Sequence, residues 1–371
     1  MSQIDPNGLM EFSVVFTDRS LNHMSKAFQG VMTDISTMLK DVYQADHVAL
    51  VPGGGTYGME AVARQFGSGA HAMIIRNGWF SYRWTQIFDA GDFTAKTTVM
   101  KARQAGNDTR APFAPAPVED VVAAIRDAKP DVVFAPHVET SAGIILPDDY
   151  IAAMAVAAHE VGALMVLDCI ASGCIWIDMK ALGVDVLISA PQKGWSATPS
   201  AGLVMMSDRA VERMVDTQSN SFALDLKKWH SIMQAYENGG HAYHATMPTD
   251  GLRAFRDTML ETREYGFDKL KVAQQTLGDD VRAYLAGKGI KSVAADEFAA
   301  PGVVVSFTDD AAIQNGYKFS ALGMQIAAGV PLQCDEPDDF RTFRLGLFGL
   351  DKLYDVPATV ARLTGVLDQV L

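Results

Sequence analysis

Cysteine is scarce in this chain: Cys169, Cys174 and Cys334 are the only three among 371 residues. So sparse and odd a set excludes a disulfide scaffold and fits a reducing compartment. A basic excess is also missing. Lys and Arg number 31 against 44 Asp and Glu, a net charge of −13, which argues against a nucleic-acid binder or a partner of anionic membranes. No apolar run is long enough to span a bilayer, because the most apolar stretch, 150–167, is broken by His159 and Glu160. The start, MSQIDPNGLM, has no basic segment followed by an apolar one, so a cytoplasmic destination is expected. Internal repeats and low-complexity tracts are absent. What is present is 49% hydrophobic and 20% charged residues, enough for a sizeable core. The length suits one large domain with a smaller one.

From Asp46 onward, short apolar runs alternate with longer amphipathic ones. VALV (48–51), AMII (72–75), DVVFAP (131–136), ALMVLD (163–168) and VDVLISA (184–190) read as strands. MEAVARQF (59–66), 118–128 and 148–161 read as helices between them. Strands without polar alternation, separated by helices, predict an α/β fold with a mostly parallel sheet covered on both faces. A long helical pattern follows over 248–288, and VVVSF (303–307) and FRLGLF (343–348) read as strands of a smaller α+β unit. The boundary is expected near 265, giving a large domain over 1–265 and a small one over 266–371.

PGGGTYG (52–58) lies between a predicted strand and a predicted helix, where backbone amides and a helix N-terminus suit a phosphate. Gly53, Gly55 and Gly58 also satisfy G-x-G-x-x-G, the dinucleotide fingerprint. No acid follows at the expected distance, since the second strand ends at Arg76 and Asn77, so only an NADP-dependent oxidoreductase remains arguable on that reading. Two strands end on residues that packing does not explain: ALMVLD on Asp168, and VDVLISA just before Gln192 and Lys193. Ligands of open α/β sheets bind beyond such strand ends. Pyridoxal phosphate needs a lysine for its Schiff base, an acid for its pyridine nitrogen and a phosphate cup. All three are present, in order.

At this point the chain resembles the class V aminotransferases of fold type I, in particular the alanine–glyoxylate and serine–pyruvate branch. The likeness runs from about residue 45 to 350 and is strongest over 131–205. GGGTYGMEA (53–61) resembles the phosphate segment, which implies Gly54, Gly55 and Thr56 as contacts. NGWFSYRW (77–84) puts Phe80 in the ring-stacking position, and HVETSAG (137–143) offers Thr140 toward the substrate and Ser141 toward the cofactor. LDCIAS (167–172) carries Asp168, with Ile170 implied on the ring face opposite Phe80. APQKGW (190–195) carries the Schiff-base Lys193 and a phosphate ligand, Gln192. YHATMP (243–248) resembles the loop that serves a neighbouring subunit's phosphate through Tyr243 and Thr246, implying a homodimer. FRLGLFG (343–349) places Arg344 on the substrate carboxylate, although the EPDD run (336–339) leaves a surface ion pair as its alternative.

The resemblance implies amino transfer from a small amino acid, alanine- or serine-like, to glyoxylate or pyruvate. One departure concerns the substrate: where the family opens with a Pro-Gly-Pro loop, this chain reads VVFTDRSLNHMS (14–25). Alternatives within the fold are an aminophosphonate aminotransferase, a lyase, or a cysteine desulfurase using Cys334, ten residues before Arg344. His241 and His244 form an H-x-x-H without a third ligand, so no metal is expected.

Overall fold

The computed structural model describes residues 4–14, 16–106 and 108–371. Met1 to Gln3 of the start, Val15 of the 14–25 segment and Asn107 lie outside the described residues. The main strands are β1 (His47–Pro52), β2 (His71–Arg76), β3 (Lys96–Lys101), β4 (Val132–Pro136), β5 (Leu164–Asp168), β6 (Val186–Ser189), β7 (Ala201–Met206), β8 (Val303–Phe307), β9 (Ala327–Ala328) and β10 (Thr342–Gly346). The main helices are α1 (Lys26–Tyr43), α2 (Gly55–Phe66), α3 (Trp79–Gly91), α4 (Val118–Ala128), α5 (Asp148–Glu160), α6 (Asp208–Asp216), α7 (Leu226–Glu237), α8 (Thr249–Tyr265), α9 (Phe267–Gly287) and α10 (Val356–Val370).

Seven strands form the large sheet in the order β1-β7-β6-β5-β4-β2-β3. The pairs from β6 through β5, β4 and β2 to β3 are parallel. The mostly parallel sheet is thus present, but VALV does not join its parallel run. β1 sits at the edge, antiparallel to β7, and β7 is antiparallel to β6. Two reversals restore direction, so β7 alone runs against the rest. The carboxyl ends of β1, β2, β4, β5 and β6 therefore lie along one edge, and every cofactor-site candidate before Gln192 lies at or just after one of those ends.

This arrangement removes the dinucleotide reading of the glycines. That fingerprint belongs to a strand–helix–strand unit with parallel neighbours, whereas β1 and β2 are separated by four other strands. Packing accounts for two of the glycines. A Cβ on Gly55 would strike the Ile170 side chain, and one on Gly58 would crowd the Gly202 backbone and Ile188.

The central strands β4, β5, β6 and β7 are fully buried, as Val, Ile, Leu and Met runs without polar alternation require, while the edge strand β3 is not. α1 starts where the Ser25 hydroxyl accepts the Phe28 N–H at 3.1 Å, and it ends on Gln44 in the left-handed region. The long helical pattern is two helices, α8 and α9, broken at Gly266 with φ 108°. The second sheet, in the order β8-β10-β9, is antiparallel. A separate apolar cluster joins it to α9 and α10 through Leu277, Val304, Phe343 and Leu367. Among the described residues no helix is long and apolar enough to cross a membrane.

Candidate active site

Asp168 ends β5, buried, in register with Ile188 of β6 and Pro136 of β4. Its Oδ1 accepts the Ile170 N–H at 2.9 Å. No cation pairs with this carboxylate among the described residues. Burial pushes its pKa up to about 7; the Ile170 N–H and Arg83 pull it down, while the charge of Glu139 pushes it further up. A carboxyl group desolvated in this way favours any positive charge brought beside it.

Lys193 lies half-buried in the loop joining β6 to the reversed β7. Burial lowers its pKa, and the charge of Arg344 lowers it further. Its Nζ is 5.5 Å from the centre of the Phe348 ring. The loop approaches the chain beyond β5 so closely that a Cβ on Gly194 would overlap the carbonyl of Gly173. Lys193 is therefore held beside the Asp168 segment by a glycine-to-glycine contact. Among the described residues the buried Oε1 of Gln192 has no partner.

Gly54 precedes α2 without a side-chain cap, and the first turn of α2 holds no acid. The N–H groups of Gly55 and Thr56 have no helical acceptor, as at any helix start. A Cβ on Gly54 would meet nothing within 4 Å, so the space at the side-chain position of Gly54 is open. Ile170 closes one side against Gly55.

Phe80, in the first turn of α3, is fixed from below by Glu139. That carboxylate is fully buried and accepts the N–H groups of Phe80 (3.1 Å), Ser81 (2.9 Å) and Ser141 (3.1 Å) together with the hydroxyls of Ser81 and Ser141 (both 2.7 Å). An anion at a helix N-terminus with five donors is a strong anchor. Ser141 is thereby committed to the loop: its hydroxyl donates to Glu139 and accepts the Trp79 N–H. Thr140 lies half-buried between them.

Arg344, in the central strand β10 of the small sheet, is buried and donates its Nε to Ala328 O at 2.8 Å. Its Cζ stands 5.5 Å from the centre of the Phe80 ring, bringing together a candidate on the small sheet and one beside the large sheet. Burial lowers its pKa and Glu139 opposes that shift. The EPDD acids do not pair with it among the described residues. Glu336 instead accepts the N–H groups of Leu332, Gln333 and Cys334. Among the described residues no hydrogen bond or ion pair engages its Nη groups.

Tyr243 and Thr246 are exposed and within reach of each other at 3.4 Å. Tyr243 packs on His23, and no hydrogen bond or ring contact of the described residues links either to Lys193, Asp168 or α2. His241 lies against His23, and His244 meets the Phe222 carbonyl at 2.7 Å. Cys334 is buried; its Sγ donates to Arg76 O at 3.3 Å, and burial pushes the thiol up to about 12. This is the opposite of the accessible, low-pKa thiolate that a nucleophilic cysteine requires.

Two residues escaped the sequence reading. Glu139 lies between Val138 and the hydroxyl residues Thr140 and Ser141, and an acid directly after a buried apolar run is the signal that marks it. Arg83 donates to Thr56 Oγ1 at 3.0 Å; its spacing of three from Phe80 would have placed it on the same face had α3 been recognised as a helix.

Pyridoxal phosphate fits this set: an open, acid-free helix start for a phosphate, a buried carboxylate lacking a cation, and an amine depressed by its surroundings. The sheet order and the gathered strand ends define a fold type I transferase. Residues 11–311 match the class-V aminotransferase family, and the chain belongs to that family. Its broad activity is amino-group transfer. The chain is 30% identical over 337 residues to a 2-aminoethylphosphonate–pyruvate transaminase of Burkholderia pseudomallei, covering 87% of this chain and 86% of that one. It is 24% identical to a soluble hydrogenase 42 kDa subunit of Anabaena cylindrica, covering 78% and 72%. Its fold is shared with an alanine–glyoxylate aminotransferase from Nostoc sp., with TM-score 0.79 and 22% identity over 95% of this chain and 89% of that one.

Proposed function

We propose that the protein is a pyridoxal-phosphate-dependent aminotransferase moving the amino group of a small, alanine- or serine-like amino acid to glyoxylate or pyruvate. The observation that carries this reading is Asp168, a buried carboxylate without a cation, beside a loop that holds a lysine of depressed pKa. When bound, pyridoxal phosphate supplies an electron sink that acidifies the Cα–H bond of an attached amino acid. Asp168 offers its charge to the pyridine nitrogen. Burial and Arg344 enlarge the neutral fraction of Lys193, which would serve as the base that holds and moves the proton of the substrate Cα. Arg344 grips the substrate carboxylate through two parallel hydrogen bonds and so fixes which bond faces the base. Phe80, braced by Glu139, covers one ring face and excludes water; Ile170 covers the other. Gly54, Gly55, Thr56 and Gln192 hold the phosphate. Thr140 serves the substrate, and Ser141 acts through the loop that seats Phe80.

The chain works as a homodimer in the cytoplasm, with Tyr243 and Thr246 completing the partner's phosphate site and the boundary between its domains at residue 265. The break at Gly266 and the three unpaired cysteines support these placements. The test is spectroscopic and kinetic. Protein incubated with pyridoxal phosphate should turn yellow and be fixed by borohydride at Lys193. Lys193→Ala should lose both properties and at least about 100-fold in turnover; full turnover in that variant ends the assignment. A panel of alanine, serine and 2-aminoethylphosphonate against glyoxylate and pyruvate reads the substrate pair. The highest kcat/KM with the phosphonate would move the donor to the class named for the Burkholderia relative.

A further inference from the structure

Arg83 lies one turn beyond Phe80 on α3, half-buried. Its Nη1 donates to Thr56 Oγ1 at 3.0 Å, and its Cζ is 5.1 Å from the centre of the Phe80 ring. It therefore bridges the start of α2 and the ring-stacking residue. Arg64, Arg103, Arg126 and Arg256 each pair with a carboxylate; among the described residues none pairs with Arg83. A positive charge has been placed at the mouth of an anion-ready helix without an acid to neutralise it.

The charge balance of the proposed phosphate cup calls for such a group. A phosphate monoester carries roughly −1.5 to −2 charges near neutrality. Gly54, Gly55, Thr56, Gln192, Tyr243 and Thr246 are all uncharged, and a helix N-terminus contributes only about half a positive charge. Most of the anion's charge would otherwise be held by neutral donors. A guanidinium with one N–H on Thr56 keeps further N–H groups for phosphate oxygens in the same plane.

We infer that Arg83 is the cationic member of the phosphate cup, donating to the cofactor's phosphate beside Thr56. The inference rests on the pyridoxal phosphate reading above. Its competitor is support of Phe80 through the cation–π contact, which acts on the ring and is blind to the phosphate. Pyridoxal, which lacks the phosphate, separates the two.

Cofactor-free wild-type protein, Arg83→Gln and Arg83→Lys are titrated with pyridoxal phosphate and with pyridoxal, reading protein fluorescence and visible absorbance. Melting curves of the cofactor-free proteins first establish that the variants are folded. Arg83→Gln should weaken pyridoxal phosphate roughly 10- to 100-fold and leave pyridoxal within about 2-fold of wild type. Arg83→Lys, which keeps the charge and carries the test if Arg83→Gln does not fold, should fall between. Inorganic phosphate should raise the melting temperature of wild-type apoprotein and have little effect on Arg83→Gln. An Arg83→Gln that binds pyridoxal phosphate as tightly as wild type overturns the inference alone. Equal weakening of both compounds also overturns it and assigns Arg83 to Phe80. Wild-type protein that binds neither compound ends the cofactor reading itself.

Discussion

A carboxylate buried without a cation is costly to ionise, and Asp168 makes that cost measurable. Its pKa moves from an ordinary 3.8 to about 7 in the folded, cofactor-free protein. Below about pH 4 both folded and unfolded chains hold the proton, and the group leaves stability unchanged. Between about 4 and 7 the folded chain keeps a proton that the unfolded chain has released, so stability falls as pH rises. Cofactor-free wild type should therefore lose a few kcal/mol across that window relative to Asp168→Asn. Denaturant unfolding of both proteins from pH 4 to 8 measures the difference, and parallel curves would refute the burial argument. Asp168 and Lys193 were legible in the sequence because a charged residue at the end of an apolar strand has no packing role. Glu139 was not, because three of its five donors come from Phe80 and Ser81 of α3, which only the fold brings to it.

The loop from β6 to β7 shows how an element can be fixed by a residue with no side chain. Gly194 follows Lys193, and the obstacle to any Cβ there is the backbone carbonyl of Gly173 rather than a movable side chain. Gly194→Ala should force the two loops apart, at a cost of roughly 1–3 kcal/mol, and displace Lys193 from its partly desolvated position. The expected signature is a lower melting temperature together with a Lys193 amine that titrates closer to an exposed lysine. An unchanged melting temperature would show that the loops have room. The strands β2, β4, β5, β6 and β8 were readable from their continuous apolar runs. β7 was missed although all six of its residues are buried, because a short apolar run holding Gly202 has no period that declares a strand. β3 carries lysine at both ends and is half exposed. α3 is crowded with aromatic residues of modest helix propensity, which obscure its helical period.

An apolar segment left in water signals a surface that a second molecule covers. Leu9, Met10, Phe12 and Val14 are 97%, 80%, 87% and 101% exposed, and Phe16 and His23 beyond them line a pocket with Tyr243 and Thr246. Periodicity alone does not reveal such a surface; only the resemblance of YHATMP implied a second subunit. In a twofold dimer each site would combine Lys193 of one protomer with Tyr243 and Thr246 of its partner. The sharing can be tested by mixing two inactive proteins. Lys193→Ala leaves the phosphate loop intact, and a Tyr243→Ala, Thr246→Ala double variant leaves the lysine intact. In a mixed dimer both lesions fall in one site and the other site is whole. Random pairing makes half of the dimers mixed, so co-expression of the two should restore about a quarter of wild-type activity. If Tyr243 and Thr246 served their own chain's site, every site would carry one lesion and no activity would return.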